Sequence, residues 1–369
     1  MKKAVSIIAF LTVALSLGAA PVSLVDIRSD AMGGLGMACY DSSLAFYHNP
    51  ASMLFGRDKA NLSMSGGGID GIDAEAFSSN LPNPFLSDPA SFGSIRFVGR
   101  NAALSITLTN MLVQKSISDD LSYGVYDALN VADLQLTVAY GWPNFSFGFT
   151  VNGGNCTQRE NISIYDESTF LDYMMQTLFE RYAPKLGSEF VSLSLGMMGK
   201  LGDFSIGLTF DEFTSVNDDK SIGVSLGAIL STMCFGFHYT GQRYDRQTAG
   251  LIFVVPSFGI EVHNVFLESF DHSENGIVLP ASAVKERDSG LCIGGEVSFQ
   301  LSPILSIAVQ TGLASGGFSS RFVSGARQTF GFSVNTEQLS INLAVSIPFE
   351  VYMGHSKKVD ASLGMDFSF

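Results

Sequence analysis

Residues 144–151 read NFSFGFTV, and their side chains alternate between large apolar and small types. One face of this stretch carries Ser146, Gly148 and Thr150. The opposite face carries four large apolar residues, Phe145, Phe147, Phe149 and Val151. A repeat of two residues is that of a β-strand, whose successive side chains point to opposite sides. The small face carries no Lys or Glu, so the pattern does not match a sheet with one side in water.

The same alternation recurs in distant segments, which read DLQLTVAY (residues 133–140), FSIGLTF (204–210), MCFGFHYT (233–240) and EQLSINLAVS (337–346). Only 15% of the 369 residues are charged, whereas about 25% are charged in ordinary globular chains. An outer-membrane barrel turns apolar side chains to lipid and polar ones to its lumen, in strands of about ten residues. The sequence therefore predicts an all-β fold, a transmembrane antiparallel β-barrel.

One apolar run of helical length, residues 4–20, follows Lys2 and Lys3. A basic start, an apolar core and small residues at the exit are typical of a secretory signal peptide. An N-terminal membrane anchor is the alternative, but about 20 apolar residues are usually needed to span a bilayer. We therefore predict a signal peptide over residues 1–20, with Gly18 competing with Ala20 as the cleavage site because Pro21 would follow the latter.

Residues 60–369 contain fourteen candidate strands, one of them at residues 220–230, joined alternately by tight turns, among them Ser231-Thr232, and by longer polar loops. Short turns at one end and long loops at the other are typical of outer-membrane barrels. Residues 251–264 would raise the count to sixteen if they formed a further hairpin. Pro256 lies in the middle of this segment and lacks a backbone donor, so the sequence favours fourteen.

The last eight residues, SLGMDFSF, alternate up to the terminus. Phe367 and Phe369 lie on the apolar face of this strand, and an aromatic residue ends the chain. Such an ending resembles the C-terminal strand that the outer-membrane barrel assembly machinery recognises. We expect this machinery and the outer-membrane lipids to be partners of the chain.

The charge and the reactive residues exclude several other classes of function. A net charge of −14 without a basic run excludes a nucleic-acid partner. The four cysteines form no CxxC pair, and the five histidines lie in unrelated contexts. Cys234 and His238 have the one spacing that would suit a metal, and a single such pair is a weak signal. The sequence therefore predicts no catalytic site, no metal and no cofactor.

Residues 31–53 read AMGGLGMACYDSSLAFYHNPASM, a glycine-rich stretch that ends in Asn-Pro-Ala. It lacks the Lys-Ser/Thr of a phosphate-binding loop and the βα context of a dinucleotide site. By composition alone it would be a flexible arm. The stretch resembles the N-terminal segment of the FadL-type outer-membrane long-chain fatty-acid transporters, and the matching residues include Gly33, Gly34, Gly36, Asn49, Pro50 and Ala51.

This resemblance continues more weakly through residues 278–310 and the last three strands. It implies a fourteen-stranded barrel whose residues 21–59 form a hatch inside the lumen. It also implies passive uptake of hydrophobic small molecules, such as long-chain fatty acids. Some relatives of these transporters serve instead as partners in secretion or surface attachment, and an adhesin with acidic loops is a third alternative.

The longest loop, residues 153–189, contains a helical pattern that starts near Thr169 and ends at Pro184. Its apolar residues recur at helical spacing, and they are Phe170, Met174, Leu178, Phe179 and Tyr182. One interpretation is a helix that packs on the rim of the barrel. The other is a groove in which a hydrophobic ligand first binds, since methionine adapts to varied ligands.

Three charged residues fall on the predicted lumenal face, Arg96, Glu296 and Arg327. Glu261 and His263 join them if residues 251–264 form a strand. These groups either bind water and the hatch or provide an arginine for a carboxylate ligand. The sequence does not choose between these roles.

Replacing Phe170 and Met174 together by Asp tests the predicted groove. Two carboxylates on its apolar face should weaken uptake of a hydrophobic ligand, because binding would require desolvating their charges. Direct measurement of uptake checks this, and unchanged uptake in the double variant would contradict the groove.

Overall fold

A computed structural model shows a barrel of antiparallel strands with helical segments near the N-terminus. The structure describes residues 26–39, 45–55, 61–73, 90–117, 124–164, 187–211, 214–216, 222–224, 229–230, 232–241, 253–263, 290–302, 304–315, 326–353 and 358–368.

Fourteen strands form the wall. In chain order they are β1 (Asn61–Asp73), β2 (Ala90–Val98), β3 (Ala102–Ile117), β4 (Gly124–Trp142), β5 (Phe145–Ile164), β6 (Gly187–Leu201), β7 (Phe204–Phe210), β10 (Met233–Thr240), β11 (Phe253–His263), β12 (Gly290–Ser302), β13 (Leu305–Ala314), β14 (Arg327–Thr336), β15 (Leu339–Pro348) and β16 (Lys358–Ser368). Two short strands, β8 (Thr214–Val216) and β9 (Ile222–Val224), pair with each other outside the wall.

Each wall strand pairs with the wall strands before and after it in the chain, and β1 closes the circle by pairing with β16. The closing pair runs from Ser63 opposite Ser368 to Asp73 opposite Lys358. A closed sheet has no open edge, so its backbone groups can be satisfied within the wall. The predicted fold class and the count of fourteen strands are both confirmed.

The two ends of the barrel differ in the length of their connections. At one end, called the short-turn end, two residues join β4 to β5 and two join β6 to β7. Gly202 has φ of 62° in the second of these turns, a left-handed conformation that favours glycine. At the other end, called the long-connection end, β5 and β6 are separated by residues 165–186 and β11 and β12 by residues 264–289.

The structure corrects the identity of one predicted strand. Within the predicted strand 220–230 the structure describes residues 222–224 as β9, which pairs with β8 and not with a wall strand, while residues 225–228 and Ser231 of the predicted turn lie outside the described ranges. The chain between β7 and β10 includes β8 and β9 instead. Residues 253–263 enter the wall as the single strand β11, not as an additional hairpin, and the total stays at fourteen.

Pro256 is tolerated in β11 because of where it lies. Its carbonyl oxygen accepts a hydrogen bond from the Gly241 N–H at 2.6 Å, just after β10 ends at Thr240. In an antiparallel strand the N–H and C=O of one residue point to the same neighbour. The missing donor of Pro256 therefore points to the end of β10, where the regular ladder has already finished.

The outer face of the wall is a continuous band of large apolar side chains. Its exposed members include Leu62, Ile95, Phe97, Ile106, Leu136, Phe147, Met197, Ile206, Phe258, Val309, Phe330 and Leu343. Near the short-turn end, Tyr140, Trp142 and Phe145 pack ring against ring, with Tyr140 and Trp142 centroids 6.0 Å apart. An apolar band edged by aromatic residues suits a barrel wall that stands in lipid.

The inner face is small and polar. Its buried members include Ser63, Ser94, Ser105, Thr137, Ser146, Thr150, Ser205, Thr209, Ser333 and Ser362. The alternation in residues 144–151 is thus observed directly, because Phe145 and Phe147 are exposed while Ser146, Gly148 and Thr150 are buried.

Among the described residues, no helix is both long and apolar enough to cross a bilayer.

The N-terminal residues 26–39 and 45–55, called the lumenal segment, lie inside the barrel. They form helix α1 (Ile27–Ala31), helix α2 (Ala45–His48) and a 3-10 helix (Pro50–Phe55). Helix α1 packs on β13 to β16, whereas the 3-10 helix packs on β4 to β6. The lumenal segment therefore crosses the lumen from one wall to another.

Arg96 secures the place where the first and last strands meet. Its side chain lies on β2, is fully buried, and donates to Ser63 Oγ at 3.1 Å and Ser65 Oγ at 2.8 Å, both on β1. It then reaches across β1 to the Asp366 carboxylate on β16 at 2.6 Å. The described contacts of Arg96 thus join three neighbouring strands.

Replacing Arg96 by Met should destabilise the barrel by about 3–5 kcal/mol, because Asp366 would lose the partner of a buried ion pair. The check is the temperature at which the folded band disappears in semi-native gel electrophoresis. We expect it to fall.

The matched control for this change is the double variant Arg96→Met with Asp366→Asn, which removes both charges together. It should be more stable than the single variant, since no unpaired buried carboxylate remains. Equal stability of the single variant and the unaltered chain would contradict the role of Arg96.

Candidate functional site in the barrel lumen

The paired glycines Gly33 and Gly34 end helix α1 and turn the chain. Their φ angles are 78° and 91°, in the left-handed region that favours glycine. The Gly34 N–H donates to the Ser29 carbonyl at 2.9 Å and the Gly33 N–H donates to the Asp30 carbonyl at 3.0 Å. These two bonds form a Schellman motif, the usual glycine-dependent end of a helix.

After this turn, the lumenal segment binds the wall through Glu261 of β11. The Glu261 carboxylate accepts hydrogen bonds from the Gly36 N–H at 2.9 Å and the Ala38 N–H at 3.1 Å. His263, two residues along the same strand, lies 3.2 Å from the same carboxylate. Glu261 is only 1% exposed, so these charge-assisted bonds hold the segment in a site without water around them.

Asn49 connects the two halves of the lumenal segment to each other and to β6. Its amide donates to the Met37 carbonyl at 2.8 Å and to the Met197 carbonyl at 3.1 Å. Its side-chain oxygen accepts the Ala51 N–H at 3.0 Å, a local turn that leads into the 3-10 helix. The Ala51 carbonyl in turn accepts a bond from Ser146 Oγ of β5 at 2.7 Å.

Proline follows Asn49 at the first position of the 3-10 helix. This position suits Pro50, because a missing N–H costs little at the start of a helix. The Asn-Pro-Ala sequence therefore has a structural explanation in this chain. It starts a helix, and it bonds that helix to the rest of the lumenal segment and to two wall strands.

Glu296 of β12 anchors helix α1. Arg28 donates to both of its carboxylate oxygens, at 2.7 Å and 2.9 Å. Gln310 of β13 donates to the same carboxylate at 2.8 Å and to Ser333 Oγ of β14 at 2.8 Å. Of the roles left open by the sequence, an ion pair with the N-terminal segment is the one that the structure gives to Glu296.

Asp26 stabilises the start of helix α1 from inside the segment. One carboxylate oxygen accepts the Ser29 N–H at 3.1 Å and the other lies 3.1 Å from His48 Nε2. Burial raises the pKa of Asp26, but the hydrogen bond and charge of His48, the Ser29 N–H and the charge of Arg28 outweigh it and leave the pKa below its usual value. Asp26 therefore stays ionised at neutral pH.

Glycines on the inner face of the wall make room for the lumenal segment. At each of seven wall positions a Cβ would collide with residues 27–51, and these are Gly148, Gly196, Gly207, Gly294, Gly312, Gly331 and Gly364. At Gly207 the atom in the way is the Met37 carbonyl oxygen, and at Gly312 it is the backbone of Met32 and Gly33. Glycine within a strand often marks such close approach of another backbone.

Arg327 is the third predicted lumenal charge, and it lies at the start of β14. It lines a crevice beside Asp30 of helix α1 and Asp360 of β16. Unlike Arg28 and Arg96, it makes no ion pair within 4.0 Å to another residue in the described ranges.

Several predicted residues lie outside the described ranges. The predicted ligand groove of Phe170, Met174, Leu178, Phe179 and Tyr182 lies there, as does Phe369. Phe367 lies on β16 and pairs with Met64 of β1. In the described part of the chain, no group of three or more His, Cys, Asp or Glu residues is arranged to hold a metal.

No protein-family model matches the sequence. A search of curated proteins also finds no significant match.

Solved structures do share the fold. A deletion mutant of the monoaromatic hydrocarbon channel TodX superposes with a TM-score of 0.54 at 12% identity, covering 93% of this chain and 98% of the channel. The channel CymD gives 0.51 at 12%, covering 96% and 98%. The Ralstonia pickettii toluene transporter TbuX gives 0.50 at 14%, covering 95% and 98%. The chain shares the barrel fold of these hydrocarbon channels. At these identities the likeness concerns the fold alone.

Replacing Gly207 by Val tests how closely the barrel holds its lumenal segment. The added side chain would occupy the position of the Met37 carbonyl, so we expect the segment to be displaced from the wall. Conductance of the protein in planar bilayers should rise, and protease should cleave the N-terminal residues faster.

The matched control is Gly93→Val on β2, where a Cβ meets no atom within 4 Å. This variant should keep the conductance of the unaltered chain. Equal conductance of all three proteins would show that the segment does not block the lumen.

Proposed function

We propose that this chain is a passive channel of the bacterial outer membrane that takes up hydrophobic small molecules, such as long-chain fatty acids. The observation that carries this proposal is a lipid-facing barrel of fourteen strands whose lumen is filled by its own N-terminal segment. Proteins that share this fold are described as monoaromatic hydrocarbon channels and toluene transporters. Transport, not catalysis, is therefore the activity we assign.

In this proposal the lumenal segment acts as the hatch. A barrel of fourteen strands without such a plug would leave a wide aqueous pore. The ligand would bind first at the long-connection end, in the groove predicted near Phe170 and Met174. It would then enter the lumen and pass when the hatch shifts or when an opening in the wall lets it leave sideways.

A second candidate is a barrel that does not transport and instead serves as a partner in secretion or surface attachment. The number of bonds between the lumenal segment and the wall favours it. The segment is bonded to β12 through Arg28, to β11 through Gly36 and Ala38, and to β6 through Asn49. A plug held on several sides is harder to displace than one held at a single point.

Uptake measurements distinguish the two candidates. The chain is expressed in a host that lacks its own fatty-acid channel, and the entry of labelled oleate and toluene is followed. A transporter should raise the uptake of one or both several-fold over the empty vector. Entry of a hydrophilic solute of similar size should not change, because the closed hatch leaves no aqueous pore.

Unchanged uptake of both probes would contradict the transport proposal. Purification from outer membranes in mild detergent then tests the second candidate. A protein recovered with the barrel at a fixed ratio would favour the partner role, whereas fatty acids at near-stoichiometric amounts would favour transport.

A further inference from the structure

A crevice lies between helix α1 and the inner face of β14, β15 and β16. Its lining combines charged and hydroxyl side chains with two small apolar residues, and it consists of Asp30, Arg327, Thr329, Ala344, Val345, Ser346, Asp360 and Ser362. Arg327 and Asp360 belong to the first residues of β14 and β16, so the crevice lies near the long-connection end. It lies apart from the bonds that hold the lumenal segment to Glu261 and Glu296.

Arg327 differs from the two other lumenal arginines described above. Arg28 binds both oxygens of Glu296, and Arg96 is fully buried against Asp366 and two serines. The Arg327 guanidinium has no such partner within the described ranges and is half-buried at the wall of the crevice. It therefore has donors that can still be given to a ligand.

Ser346 is a second group with unused hydrogen-bonding capacity. It is 8% exposed, and its Oγ has no hydrogen-bond partner among the described residues. Its cross-strand neighbours are Thr329 and Asp360, which also line the crevice. A buried hydroxyl left without a partner is costly, so a ligand atom that bonds to it would gain from that site.

The size of the crevice limits what can enter it. Its cavity volume is about 10 Å³, room for one water-sized group, and the space between its walls is about 270 Å³ when the open solvent at its mouth is included. The head group of a ligand must therefore be small, while the rest of the molecule stays in the mouth.

The charges of the lining limit the chemistry of that head group. The lining combines two carboxylates with one guanidinium, so a charged head group of either sign would lie near a group of like charge. A hydroxyl group carries one donor and two acceptor positions. It can donate to a carboxylate and accept from Arg327 and Ser346 without bringing a charge of its own.

We propose that this crevice binds the hydroxyl head group of a small hydroxylated hydrophobic molecule, with the apolar body in the mouth. The proposal rests on the proposed function and makes its substrate class more specific. A ligand held here touches helix α1 and the wall together, so it lies at the boundary of the hatch.

The test uses four probes with the same ring and different head groups, which are toluene, benzyl alcohol, benzoate and benzylamine. Their binding to the purified full chain in detergent is measured by calorimetry at pH 7. Benzyl alcohol should bind most tightly. Its affinity should fall about tenfold or more in Arg327→Met and in Ser346→Ala, because each variant removes a hydrogen bond to the head group.

Arg100→Met is the matched control, since Arg100 lies exposed in the short turn between β2 and β3. It should bind benzyl alcohol like the unaltered chain. Semi-native electrophoresis shows whether each variant is folded, and Ser346→Ala removes only one hydroxyl if Arg327→Met proves unstable.

Four results would overturn the proposal. Tightest binding of benzoate would make the crevice an anion site, and tightest binding of benzylamine would make it a cation site. Toluene binding as tightly as benzyl alcohol would show that the hydroxyl group contributes nothing to binding. No binding of any probe would show that the crevice holds only water. None of these results decides whether oleate or toluene crosses the membrane, so the uptake assay judges the proposed function separately.

Discussion

The wall of this protein depends on one constraint, that a backbone polar group in lipid has no water to bond. A sheet meets this constraint only when its last strand pairs with its first, as β16 does with β1. Closure has a consequence for the side chains, because alternate residues then face lipid and lumen along every strand. The apolar band outside and the serine and threonine rows inside both follow from it. Arg96 strengthens the same closing pair from within the lumen.

The lumen has room for the N-terminal segment because several wall residues that face it are glycines and have no side chain. Glycines at wall positions such as Gly207 and Gly312 leave space that the backbone of the lumenal segment fills. Buried carboxylates then bond to that segment, Glu261 through main-chain N–H groups and Glu296 through Arg28. Close fit and charge-assisted bonds act together, so moving the segment requires breaking both. This is why the same contacts support a closed hatch in a channel and a fixed plug in a barrel that does not transport.

Errors of the sequence interpretation arise where local and tertiary rules disagree. Pro256 argued against a strand because proline cannot donate to a ladder, but its position faces the end of β10 and loses no regular bond. Residues 222–224, within the predicted strand 220–230, form β9 of the small separate sheet and not part of the wall. Alternation alone does not say which neighbour a strand has. The lumenal charges are a second example. Arg96, Glu296 and Arg327 all fall on the predicted inner face of a strand, and the sequence pattern does not distinguish their three different environments.

The sequence by itself determined the fold class and the side of the wall that each alternating residue faces, because a period of two and a low charge content are local properties. It also marked the Gly-Gly and Asn-Pro-Ala sequences, whose backbone preferences are local. The tertiary structure decided that β16 pairs with β1 and that the Glu261 carboxylate accepts hydrogen bonds from the Gly36 and Ala38 N–H groups. It also decided that Arg327 lies at a crevice without an ion pair among the described residues. These properties depend on residues hundreds of positions apart, which meet only when the barrel closes.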